Sequence, residues 1–201
     1  MKKNYIFMFV IGISLFLTTA CGGLIGLQEA KNPLLTQTVY DGESSKLEIL
    51  LPFELKDAPA EDFGELKHYI LNYFDKYGYE KNVVRIAHVA YDAEKIEMET
   101  GEDFIPDIDG AIDGYLEDFK NTPDKKNFKS GSVNKMTIDG IDARSVTLSY
   151  STIEKNPVDF EGEVIVLAKG VDVWFIATFD RTGDEISKSI SEKVRDSIKI
   201  K

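Results

Sequence analysis

Two tight turns, Asp139-Gly140 and Lys169-Gly170, constrain what this chain can fold into more than any other feature. Asp-Gly supplies the positive φ angles that a two-residue hairpin turn needs, and Lys169-Gly170 reads as another hairpin. Residues 127–138 and 141–150 flank the first turn, and 160–168 and 171–180 flank the second. All four segments are strand-like, so this half of the chain reads as four antiparallel strands. Val164-Ile165-Val166-Leu167-Ala168 and much of 173–179 are apolar on both faces, which predicts central strands covered on two sides. Apolar alternation slips between Ala143 and Val146, which predicts a bulge near Arg144 and Ser145.

The rest of the chain supplies covering elements. Residues 46–55 alternate, with Leu47, Ile49, Leu51, Phe53 and Leu55 on one side and Glu48 and Glu54 on the other. This predicts a half-buried strand, with Pro52 marking an edge or a bend. Residues 62–77 carry Phe63, Leu66, Ile70, Tyr73, Phe74 and Tyr77 at helical spacing before Gly78, which predicts a helix whose aromatic stripe packs in the core. A strand is expected over 83–91, with His88 on the face of Val84, Ile86 and Ala90, followed by a charged loop over 93–102. Asp109 is expected to cap a helix lined by Ile112, Tyr115, Leu116 and Phe119 and closed by Pro123. Thr182-Gly183-Asp184-Glu185 reads as a capping box opening a last helix with Ile186, Ile190, Val194 and Ile198. Hairpin runs with helices to cover them imply an α+β fold.

The amino terminus gives an address. Lys2 and Lys3 precede an apolar run over 5–17, then Thr18-Thr19-Ala20-Cys21-Gly22-Gly23. A basic start, a short apolar core and small residues before a cut make a secretory signal. The run is too short to cross a hydrocarbon core of ~30 Å comfortably. The segment resembles the lipobox of bacterial lipoproteins, in which the cysteine thiol receives a diacylglyceryl group before cleavage. Thr18 stands where the family usually has Leu. The resemblance implies lipidation at Cys21 and a domain lipid-anchored on the extracytoplasmic face of a cell membrane. An uncleaved transmembrane anchor is the alternative. Cys21 is the chain's single cysteine, so no intrachain disulfide is possible. Gly22, rather than an inner-membrane retention aspartate, follows it. That leaves the outer face of a single membrane or an outer membrane, and the Lys-, Asn- and Ile-rich composition leans to the former.

The organisation expected is a signal peptide over 1–20, a Gly-, Ser- and Thr-containing tether over 21–45, and one domain over 46–201. Removing the signal leaves 22 basic against 35 acidic residues, a formal charge of −13. That balance repels nucleic acid and anionic head groups, so no nucleic-acid partner is expected.

Within 108–201, three features resemble the Mog1/PsbP-like fold. They are Met136-Thr137-Ile138-Asp139-Gly140-Ile141-Asp142-Ala143-Arg144, the paired strands around Lys169-Gly170, and a last helix running to Asp196-Ser197-Ile198-Lys199. The resemblance implies an α/β/α sandwich around a mainly antiparallel sheet, and an accessory or binding role. The helix over 62–77 is a departure from that pattern or an elaboration of it.

The tests for chemistry are negative. Asp107-Ile108-Asp109-Gly110 mimics the middle of an EF-hand loop, but the register puts Ile105 and Leu116 where carboxylates must stand. Ser132-Val133-Asn134-Lys135 spells Ser-x-x-Lys, yet it falls in a predicted strand without the companion elements of penicillin-recognising enzymes. His68 and His88 lack clustered partners and read as structural. Carboxylate pairs such as Glu97 and Glu99 are too common here to signify, and Trp174 reads as core packing. No catalytic residue, metal site or cofactor is expected. The leading reading is a noncatalytic accessory lipoprotein that docks a protein partner at the envelope. A binding module for a small ligand or envelope component comes second, and an enzyme with an unrecognised site third.

Overall fold

The computed structural model describes residues 35–52, 54–57, 67–74, 80–123 and 125–201. In chain order the elements are β1 (Thr36–Asp41), β2 (Lys46–Leu51), β3 (Lys56–Asp57), β4 (Lys67–Phe74), β5 (Glu80–Ala90), α1 (Ala93–Thr100) and α2 (Ile108–Lys120). Then come β6 (Lys125–Ser130), β7 (Asn134–Ile138), β8 (Ile141–Thr152), β9 (Asp159–Lys169), β10 (Asp172–Arg181), α3 (Glu185–Asp196) and β11 (Lys199–Ile200). The large sheet has the order β3-β4-β5-β10-β9-β8-β6, with β7 also pairing with β8. A small sheet has the order β1-β2-β11. Every pairing is antiparallel.

Both hairpins form, the first on Asp139-Gly140 and the second one residue later than expected, on Gly170-Val171, because Lys169 pairs with Asp172 in the ladder. Asp139 and Gly140 adopt φ 53° and 82°, and Gly170 φ 60°. β10 lies at the centre, and all its residues except Arg181 are buried. Its side chains alternate between two cores. Trp174 and Ile176 face Leu47, Ile49 and Leu51 of β2 and Ile190 and Val194 of α3. Val173, Phe175, Ala177 and Phe179 face Ile112, Tyr115 and Phe119 of α2. Helices therefore cover opposite faces of a mainly antiparallel sheet, and the α+β sandwich is the observed architecture. Among the described residues no helix is long and apolar enough to cross a membrane.

Several local expectations are corrected. Residues 67–74 of the expected helix over 62–77 form β4, which pairs with β5 from Lys67↔His88 to Phe74↔Glu80; the flanking residues of that expectation lie outside the described ones. An aromatic-rich run apolar on both sides satisfies helical and strand spacing alike, and the open edge of β5 selects the strand. The charged loop over 93–102 is the helix α1. Asp92 accepts from the Lys95 amide at 3.0 Å, and Gly101 caps the other end at φ 72°. Residues 36–41 of the expected tether form β1, in register with β2 from Thr36↔Leu51 to Asp41↔Lys46. β2 stops at Leu51 and lies between β1 and β11 rather than at an edge.

The strand over 127–138 divides into β6 and β7, which pair with the two ends of β8. The register between β8 and β9 runs unbroken from Ala143↔Leu167 to Ser151↔Asp159, so no bulge interrupts Arg144 and Ser145. The slip in alternation has another cause: β8 buries Ala143 on the α3 side and Val146, Leu148 and Tyr150 on the α2 side. The caps also move. Asp107, not Asp109, caps α2, and Asp184, not Thr182, caps α3.

Candidate functional site

Asp172, the first residue of β10, is fully buried and collects the densest set of polar contacts in the described chain. Its Oδ1 accepts from the Glu43 amide at 2.9 Å and faces His88 Nε2 at 2.7 Å. Its Oδ2 accepts from the Ser44 amide at 2.8 Å and from the Ser44 and Ser45 hydroxyls at 2.9 and 2.8 Å. Trp174 Nε1 donates to Ser45 Oγ at 3.0 Å, and the indole stacks on His88 with ring centres 4.2 Å apart. Burial pushes the Asp172 carboxyl up, but the hydrogen bonds from His88, the Glu43 amide, Ser45 and the Ser44 amide together hold it down at about 2. A Cβ on Gly42 would meet Asp172 Oδ2 at 2.7 Å, so the β1–β2 turn closes on the carboxylate only because that position has no side chain.

Serine, histidine and aspartate meet here, but not as a nucleophilic relay. In such a relay the imidazole stands between hydroxyl and carboxylate. Here the carboxylate stands between the imidazole and both hydroxyls. The geometry performs a clamp, tying the β1–β2 turn to the start of β10.

A second polar feature is open to solvent. On the α3 side of the sheet, registered residues form rows across β8, β9 and β10. The first two rows, Ala143/Leu167/Trp174 and Ser145/Ile165/Ile176, support the core. The next two, Thr147/Glu163/Thr178 and Ser149/Glu161/Asp180, are polar. Over the polar end α3 presents Lys188, Ser191, Glu192 and Arg195, and Lys129 to Gly131 forms the opposite wall. The result is a groove of ≈ 590 Å³.

Asp180 lies in its floor with 6 % of its surface exposed. Burial pushes its carboxyl up, and Glu161 directly opposite on β9 pushes it further. The Ser191 hydroxyl and Lys188 offset this in part, and Glu192 adds to it, leaving it at about 6. No salt bridge joins Asp180 to a lysine or arginine among the described residues, whereas Arg195 is held by Glu163 at 3.5 Å and Asp196 at 3.1 Å. The sequence offers one faint sign of this groove, the change from apolar to polar at alternate positions of two central strands.

The residues singled out from the sequence disperse. Cys21 lies outside the described residues. His68 belongs to β4 and His88 to the clamp. Trp174 is fully buried, as expected for packing. Asp107 spends Oδ1 on the Gly110 amide at 2.9 Å, and Asp109 makes a two-pronged pair with Arg144. Ile105 is 81 % exposed and offers no ligand where an EF-hand would need one. Ser132 falls in the break between β6 and β7, not at a helix start, and Lys135 in β7. Glu97 Oε1 accepts from the Phe104 amide at 3.1 Å.

No family model and no curated protein sequence matches the chain. Solved structures similar to it include LpqN, involved in cell envelope biogenesis of Mycobacterium tuberculosis, with TM-score 0.48 and 12% identity over 83% of this chain and 91% of that one. Cyanobacterial PsbP from Synechocystis is similar with TM-score 0.49 and 9% identity, covering 90% of this chain and 100% of its own. The Saccharomyces cerevisiae Ran-binding protein Mog1p is similar with TM-score 0.42 and 8% identity, covering 82% and 95%.

Proposed function

We propose that the chain is an exported lipoprotein, held on the extracytoplasmic face of a membrane by a diacylglyceryl group on Cys21. Its α+β domain serves there as a noncatalytic accessory or interaction protein of the cell envelope. The observation that carries this reading is the segment from Lys2 to Cys21: basic start, short apolar core, small residues and the single cysteine in sequence. Two acyl chains anchor stably where one does so marginally. Fourteen residues, 22–35, separate Cys21 from β1, a reach of at most about 50 Å. With a formal charge of −13 after processing, the domain is repelled by anionic head groups and held by its anchor alone. The noncatalytic reading draws support from the clamp, where the carboxylate of Asp172 stands between His88 Nε2 and the Ser44 and Ser45 hydroxyls, an order that makes no nucleophilic relay.

Cells treated with a signal peptidase II inhibitor should accumulate a larger precursor on immunoblots, and Cys21→Ser should abolish labelling by a clickable fatty acid. An unchanged size together with persistent labelling of the variant would sink the assignment.

The groove beside α3 favours a second reading, in which the domain binds a small ligand or an envelope component. Ligand sites are concave and mostly apolar with a few placed polar groups, and of these the groove supplies the concavity and the polar groups.

A further inference from the structure

We propose that the groove beside α3 binds an alkylammonium group, with Asp180 as its counter-ion and Glu161 as the second carboxylate in reach. This rests on the binding-module reading and names the ligand class for it.

The charge of Asp180 is balanced only in part, by the Ser191 hydroxyl and by Lys188 beyond salt-bridge distance. Asp180 is a buried carboxylate with a hydrogen bond from Ser191 and no ion pair among the described residues. A buried charge is costly unless paired. Its nearest charged neighbour across the strand pair is another carboxylate, Glu161, in the same row and on the same face. Directly opposed residues of an antiparallel pair stand about 5 Å apart, so one cation placed above the row serves both. The groove above it is open and large enough for such a group.

The chemistry of the lining narrows the cation. No three His, Cys, Asp or Glu side chains among the described residues converge as metal ligands. No aromatic side chain lines the groove to stack on a sugar or a quaternary amine. What the row presents is two carboxylates with the hydroxyls of Thr178 and Ser191 beside them. A compact ammonium, with three donors diverging from one nitrogen, suits acceptors spread over adjacent strands and α3. A planar guanidinium is served instead by a single carboxylate in bidentate fashion. The charged groups that face Asp180 are Glu161 and Glu163 from β9, Lys188, Glu192 and Arg195 from α3, and Lys129 from the opposite wall. Asn82, its partner on β5, is uncharged and donates to Ser187 O and Ser191 Oγ.

The ammonium has two sources, a free diamine or the side chain of a lysine in a peptide. Calorimetric titration of the full chain in detergent micelles separates them, with cadaverine in one arm and Nα-acetyl-lysine methylamide in the other. Pentane-1,5-diol is the uncharged control. The expected result is saturable binding at pH 7.5 in one or both amine arms and none with the diol. Asp180→Asn should weaken binding at least about tenfold. Exposed Glu161→Gln, which leaves the packing untouched, should weaken it several-fold. Affinity should fall between pH 7.5 and 5, because the cation binds the ionised carboxylate and Asp180 takes up its proton near 6.

Equal heats from diol and amine, indifference to both substitutions, or tighter binding in acid would each overturn the proposal. Native mass spectrometry of protein extracted from membranes keeps the two readings apart. A bound ligand without an amine would refute the ammonium assignment and leave the binding module standing. Absence of any ligand together with silent titrations would remove both.

Discussion

Two aspartates on β10 show how one residue type takes opposite roles eight positions apart. Asp172 has no exposed surface, yet its carboxyl is held at about 2 because five donors converge on it. Asp180 is nearly as buried but faces another carboxylate, and its carboxyl rises to about 6. For Asp172 the folded value lies below the ordinary 3.8, so its contribution to stability is fully present above about pH 4 and is lost as pH falls toward 2. A shift of that size corresponds to about 2–3 kcal/mol. Asp172→Asn should therefore lower unfolding free energy by about 3 kcal/mol at pH 7, and much less at pH 2, as read by urea titration. Equal losses at both pH values would show that the carboxylate charge is not what holds the β1–β2 turn. In the sequence Asp172 looks like an ordinary hairpin-flanking residue, and His88 and Trp174 look like isolated core positions. Nothing local marks them as partners, because the contacts with Ser44 and Ser45 span 128 and 127 residues.

At the scale of elements, legibility follows how local the determinant is. The hairpins at Gly140 and Gly170 form because positive φ is a property of the turn itself. α2 was legible from its apolar stripe, and α1 was readable in principle from Asp92, Gly101 and the good helix formers between them. β4 was not, since the pairing edge of β5 decides between strand and helix for an aromatic-rich run. β9 offers a direct test of element packing. A Cβ on Gly162 would lie 2.0 Å from Thr178 O and 2.7 Å from Phe179 Cα, both backbone atoms that cannot swing aside. Gly162→Ala should destabilise the domain by about 2–3 kcal/mol in denaturant titrations, through strain between β9 and β10. A neutral result would mean that the two strands part there without cost.

At the scale of the whole molecule, a small sheet closes over the face that α3 shares. β11 follows α3 and pairs with β2 through Lys199↔Glu48 and Ile200↔Leu47, and Lys46 and Lys201 exchange both backbone hydrogen bonds, at 2.8 and 2.9 Å. Ile200 is 3 % exposed and joins the core of Trp174 and Leu47. Ile200→Ala should cost about 2–4 kcal/mol and speed hydrogen exchange at the Lys46 and Lys201 amides first; unchanged exchange there would show that β11 is not a fastening. The linear chain carries the hairpins, the central strands and the α+β class, because turn chemistry and period-two alternation act over a few residues. The clamp around Asp172, the polar rows beneath α3 and the small sheet arise from register between distant strands. Register is set when buried faces choose their partners, so only the folded chain brings Asp180 opposite Glu161 or Ser45 onto Asp172.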